Sequence, residues 1–166
     1  GGPHELSHNP LEDIMRYAHT IEAIIGSTPL IDLSAIAGGK ATILGKYEAT
    51  NPGGSVKDRI VLTMLDAAEA DGSLMPGGTV IDPTSGNTGV GLAMLAARRG
   101  YKAVLVMPET MSVERRKLAA SYGAQIVLTP GGEGMSGAVR RADELRDETP
   151  GAIVVGQFVN PANPQA

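Results

Sequence analysis

The chain has 166 residues, 42% of them hydrophobic and 19% charged, with a formal net charge of -4 and no cysteine. That is enough chain for one good core, or one domain with appendages, in an ordinary globular composition. The charge balance and the lack of a basic stripe with interleaved aromatics argue against nucleic-acid binding, no window is apolar enough for a membrane span, and disulfides, thiolate metal sites and a cysteine nucleophile are excluded.

From the amino terminus, residues 1–20 read as a weakly patterned flexible tail. All three histidines, His4, His8 and His19, fall in it. A Ser-His-Asp triad or a His-rich zinc site therefore cannot be built from the middle of the chain, and no metal is expected. No basic region followed by an apolar run opens the sequence, so the expected compartment is cytoplasmic. Glu12 to Ile25 carries a mixed helical pattern closed by Gly26, and two short strands are predicted at 29–33 and 41–47, split by Gly38 and Gly39. From residue 55 a regular alternation sets in: helix 55–70, strand 79–82, helix 88–99, strand 103–107, a helix from Ser112 to Tyr122, strand 124–128, helix 135–147 and strand 153–155. Short, wholly apolar strands alternating with helices predict an α/β fold, a parallel sheet with helices on both faces in three layers. In such sheets ligands sit at the carboxyl ends of the strands, which selects the loops at 83–88, 107–112, 129–135 and 156–164.

Two motifs stand out. The first is Lys57, in the opening turn of helix 55–70. At about 100° per residue Val56, Ile60, Val61, Met64, Ala67 and Ala68 form one apolar arc, and Lys57 falls near its middle while Asp58, Arg59, Asp66 and Glu69 lie mostly opposite. An ammonium aimed at an interior is costly unless paired or neutralised, and a lysine held as an imine escapes that cost. The plain alternative is a lysine that snorkels to solvent. Ahead of it, Asn51-Pro52-Gly53-Gly54-Ser55 forms a turn, with Ser55 and Asp58 spaced as a helix cap; the glycines lack Walker spacing. The second motif is Pro83-Thr84-Ser85-Gly86-Asn87-Thr88-Gly89, joining a buried strand to a helix start. Its backbone amides suit a carboxylate and Asn87 can donate to an oxygen, although Ser, Thr, Asn and Gly are also the customary residues of a βα turn. A carboxylate loop beside an imine lysine suggests chemistry on an amino acid.

These segments, together with Ile24–Leu30, Met107–Leu118, Gly123–Thr129 and Gln157–Pro164, make the chain similar to the fold-type II pyridoxal-phosphate-dependent enzymes, which share the tryptophan synthase β-like fold, and within them to the cysteine synthase (O-acetylserine sulfhydrylase) group. The resemblance runs from about residue 20 to the end. It implies that Lys57 holds pyridoxal 5'-phosphate as an internal aldimine and later acts as the base. Asn87 would donate to the cofactor's phenolic oxygen, Thr84, Ser85, Gly86, Thr88 and Gln157 would bind the substrate α-carboxylate, and Met111 would line the approach. It also implies a β-replacement that turns O-acetyl-L-serine and sulfide into L-cysteine and acetate through an aminoacrylate, and a segment at roughly 103–147 that closes over substrate. The full-length enzyme is expected to be a homodimer with no nucleic-acid or membrane partner.

The same resemblance divides the chain into the tail 1–20, early strands 21–50 that pack on a carboxyl-terminal domain, an α/β domain 51–158 and a crossover start 159–166. Family members are roughly twice as long, so the chain is expected to be the amino-terminal half. That piece alone is expected to be inactive and to hold the cofactor weakly or not at all. Cystathionine β-synthase and a phosphoserine-type sulfhydrylase are sister alternatives, and a non-catalytic binding domain is the alternative from another class.

Overall fold

Strands of Val, Ile and Leu alternate with helices from residue 57 onward, and that alternation builds the sheet. The computed structural model of the protein describes residues 17–84 and 86–166. Before the sheet lies an antiparallel pair, β1 (Leu30–Asp32) and β2 (Leu44–Lys46), with Ile31 opposite Gly45. Four parallel strands follow, β3 (Thr79–Pro83), β4 (Lys102–Pro108), β5 (Gln125–Thr129) and β6 (Ala152–Val154), in the order β5-β4-β3-β6. The helices are α1 (Lys57–Ala70), α2 (Asn87–Arg99), α3 (Val113–Ser121) and α4 (Gly134–Glu148). Ile81 pairs with Val104 on one side and Val154 on the other, which fixes the register of the central strand.

Period-2 alternation then sorts the side chains of each strand between two faces. Val80, Leu105 and Met107 pack with Val61, Met64 and Leu65 of α1 and Leu92 and Leu95 of α2. Ile81 and Val106 pack with Ala138 and Ala142 of α4 on the opposite face. Small residues let α4 lie close to the sheet. The result is the three-layer α/β arrangement that the alternating pattern predicts. Among the described residues no helix is long and apolar enough to cross a membrane.

Two expectations are overturned. Of the helix predicted over residues 12–25, residues 12–16 lie outside the described residues. The described remainder forms only a 3-10 turn at Glu22–Ile24, where Thr20 Oγ1 accepts from the Ala23 amide and Ile25 is already extended. There the Glu22 side chain is drawn to Arg99 of α2, with Oε1 2.7 Å from Nε. The second concerns the apolar arc of α1. Asp58, assigned to the polar side, is fully buried, whereas Val56 is 44% exposed and Lys57 is half-buried. Because α1 begins at Lys57, its first turn meets the preceding loop and α2 rather than the core. The predicted cap is displaced as well: Ser55 Oγ accepts from the Lys57 amide at 3.1 Å, and Asp58 Oδ2 reaches back to the Gly53 amide at 2.5 Å.

What ties the early segment to α1 is polar. Arg59 donates through Nε to Glu48 Oε2 at 2.8 Å and through Nη2 to Glu48 Oε1 at 3.0 Å and to the Gly26 carbonyl at 2.9 Å. Thr28 donates to Glu48 Oε1 at 2.6 Å. These bonds favour the carboxylate, and Arg59 first, then Thr28, hold the Glu48 acid down at about 2. A folded-state value below the ordinary 4.5 adds stability that is complete above that pH and is lost as pH falls from 4.5 towards 2. We therefore expect Glu48→Gln to destabilise the protein at pH 7, and the gap from wild type in urea unfolding to narrow steadily between pH 5 and pH 3. A gap that does not depend on pH would show that the ionised group contributes nothing.

Candidate functional site

The loop after β3 is shaped by a hydroxyl and a glycine. Thr84, almost fully buried, accepts at Oγ1 from the amides of Gly86 at 3.4 Å and Gly89 at 3.2 Å. A Cβ on Gly89 would lie 2.5 Å from Thr84 Cγ2, so only glycine lets the first turn of α2 settle on that threonine. Gly86 is the N-cap of α2, and the amides of Asn87 and Thr88 that follow have no acceptor within the helix. Ser85 lies outside the described residues.

Across from this loop, the segment after β6 contributes Gln157. Thr88 donates its hydroxyl to Gln157 Oε1 at 2.8 Å, which leaves the Gln157 amide nitrogen as a donor. Asn163 Nδ2 holds the Gln157 carbonyl at 2.6 Å, and Asn160 Nδ2 holds the Val155 carbonyl at 2.9 Å. On the third side, Asn51 donates to the Ser55 carbonyl at 3.0 Å and so fixes the turn that aims Lys57.

Together these elements enclose a cleft of about 290 Å³ lined by Lys57, Thr84, Gly86, Asn87, Thr88 and Gln157. Six of the seven sequence-predicted site residues thus share one space, and the seventh is Ser85. Met111 does not line the cleft; it packs half-buried against the α1–α2 core, and Met135 of α4 borders the cleft instead. Arg115 of α3 and the exposed Phe158 also border it; both lie in segments that carry the resemblance, but neither is among the site residues expected from the sequence. Larger grooves exist, such as one of about 690 Å³ along β6, but none of the predicted residues lines it. Among the described residues the charged groups lining the cleft are Lys57 and Arg115, with no carboxylate. Nor do the described residues contain a cluster of three or more His, Asp or Glu able to hold a metal.

Two carboxyls sit behind the cleft wall instead. Asp58 Oδ1 has no hydrogen-bond partner and lies where a Cβ on Gly53 or Gly91 would intrude, at 2.4 and 3.1 Å. Burial pushes its acid up, against the smaller pull of the Gly53 amide. Asp82, at the end of β3, is wholly buried with neither oxygen in a hydrogen bond of normal geometry. Burial pushes it up to about 7, with a smaller opposing pull from Thr84. The sequence signal was present in both cases: an acid at the end of an apolar strand, and an acid beside two apolar helix positions.

Residues 21–166 match the family described as pyridoxal-phosphate dependent enzyme. A cysteine synthase from Flavobacterium sp. is 51% identical over 149 residues, covering 90% of this chain and 48% of that protein. One from Staphylococcus aureus is 53% identical over 146 residues, covering 87% and 47%. Among solved structures, O-ureido-L-serine synthase superposes with a TM-score of 0.85 at 47% identity, over 90% of this chain and 47% of that one. An O-acetylserine dependent cystathionine beta-synthase from Helicobacter pylori gives 0.83 at 35% identity, over 90% and 50%. The chain spans about half the length of the curated relatives it matches.

The buried carboxyl behind the loop gives a pH dependence opposite in sign to that of Glu48. With a folded value of about 7 above the ordinary 3.8, the folded state holds the proton more tightly, so stability falls as pH rises from about 4 to 7. The slope is at most about 1.4 kcal/mol per pH unit. Asp82→Asn is expected to abolish this slope; urea unfolding at pH 5 and pH 7.5 measures it, and equal slopes for wild type and variant would refute the assignment.

Proposed function

The chain belongs to the pyridoxal-phosphate dependent enzyme family, and we propose that it serves cysteine synthesis, with the whole protein converting O-acetyl-L-serine and sulfide into L-cysteine and acetate. The observation that carries this reading is the cleft itself. One lysine, the Asn87 side chain and the amide-rich start of α2 face a common space free of lining carboxylates. That donor set fits a carbonyl-bearing anionic cofactor and an amino-acid carboxylate together.

When bound, pyridoxal phosphate supplies an electron sink for charge developing at the substrate α-carbon. The chain's own residues do the rest. Lys57 Nζ would tether the cofactor, then take the α-proton of the substrate and return it after replacement. Asn87 would donate to the cofactor's phenolic oxygen. Gly86, Thr88 and Gln157, with Ser85, orient the substrate α-carboxylate at the positive end of α2. Thr84, whose hydroxyl already accepts from two amides, acts mainly by holding those amides in position. Acetate departs from the β-carbon with the bonding electron pair, and sulfide forms the new bond at that carbon.

A sister reading, β-replacement that forms cystathionine, draws support from the Helicobacter pylori structure, which is described as O-acetylserine dependent, but that likeness is 35% identical against 51–53% for the cysteine synthases. Turnover by the full-length protein separates them: O-acetyl-L-serine with sulfide is expected to give product, and product only with homocysteine, from serine or from O-acetyl-L-serine, would sink our reading. Borohydride reduction of the holoprotein is expected to fix a pyridoxyl group on the peptide carrying Lys57. Lys57→Ala should lose that label and lower kcat by about 10²–10⁴-fold or more.

A further inference from the structure

Arg115 is a second cation in a cleft that the family chemistry equips with one. It occupies the first turn of α3, where its amide is taken by Ser112 Oγ at 3.3 Å, so the cap fixes the residue's place. Its guanidinium leans over the N-cap of α2: Nη1 is 3.5 Å from the point where a Cβ on Gly86 would stand. That is the spot at which the amides of Asn87 and Thr88 emerge. An anion held there would touch both the helix terminus and the arginine. Lys57, the other cation lining the cleft, is committed to the cofactor in the function proposed above.

We propose that Arg115 is a specificity residue that reads the α-carboxylate of the amino-acid substrate, closing over it from α3 while the start of α2 binds it from below. The inference rests on the amino-acid reading of the site and adds a charged partner to its neutral donors. An arginine fits better than a lysine would, because a planar fork can meet a carboxylate with two parallel bonds. Only Ala119 of α3 is buried, so a change at exposed position 115 leaves the core intact.

The test uses the full-length holoenzyme and two probes that differ only in the carboxylate, L-serine and L-serinamide, titrated by calorimetry. We expect Arg115→Met to weaken L-serine by about tenfold, more than a fully exposed ion pair contributes and the low end for a hydrogen bond to a charged group. L-Serinamide should bind as it does to wild type, and Arg115→Lys should fall between. KM for O-acetyl-L-serine should rise by a similar factor, with a much smaller change in kcat. Equal losses for both probes would mean a structural role, and no loss for either would mean no contact; each overturns the proposal. If the wild type fails to turn over O-acetyl-L-serine while the probe pattern holds, the reaction assignment falls and Arg115 stands.

Discussion

The position of Lys57 depends on the forked bond between Arg59 and Glu48. Little apolar contact holds the described segment before α1: Ile25 packs half-buried against the core, but every residue of β1 is exposed, and so are Leu44 and Lys46 of β2. Hydrophobic burial is non-directional and could not aim a side chain from such a ribbon. The direction comes from hydrogen bonds instead. Arg59 grips Glu48 and Gly26, Glu48 accepts from Asn51 Nδ2, and Asn51 accepts from the Gly26 amide while donating to Ser55. Each neutral link contributes about 1 kcal/mol net, and the charge-assisted ones more. Because Asn51 is buried, removing any partner would leave a desolvated amide, which makes the set cooperative.

The opposite wall follows a different logic. There the chain must bring a loop, a helix start and a segment 69 residues further on into contact. Close approach at Gly89 sets the helix on the loop, and the Thr88–Gln157 bond joins the two strand ends. The cost is buried polar atoms that packing leaves without partners, on Asp58 and Asp82. Burying a carboxyl unpaired is tolerable when it stays neutral, and burial drives both acids that way. The glycines at 53 and 91 make the room that Asp58 occupies.

Much of this was legible in the sequence. Strands such as Ala103–Met107 are apolar on both faces, so the βα rhythm and its order could be read directly. Lys57 drew notice through a helical projection that the structure corrects: the residue facing inward is Asp58, and Lys57 faces the cleft. The projection assumes that a helix buries one continuous stripe, which fails in a first turn packed against a loop. Arg115 was hidden for a related reason. Within Val113-Glu114-Arg115-Arg116-Lys117 it looks like part of a solvated helix face, and only the crossing of α3 over α2 gives it a neighbour. Gln157 was picked out through family resemblance alone, since a bond across 69 residues leaves no local pattern.

The two unusual acids also explain each other. Glu48 is part-buried and Asp82 wholly buried, and their affinities for a proton move in opposite directions. Glu48 is met by a guanidinium, a hydroxyl and an amide, all donors, so the charged form is the one the fold completes. Asp82 stands in a strand whose neighbours are Leu105 and the α1–α2 core, where a proton supplies what the surroundings do not. As pH rises from 2, the first group adds stability until about 4.5, and the second begins to subtract it from about 4. Taken alone, the pair favours the folded state most near pH 4, where the two opposing slopes cancel. Donors gathered around Glu48 keep it charged and burial keeps Asp82 neutral, so the two carboxyls answer a change of pH in opposite senses.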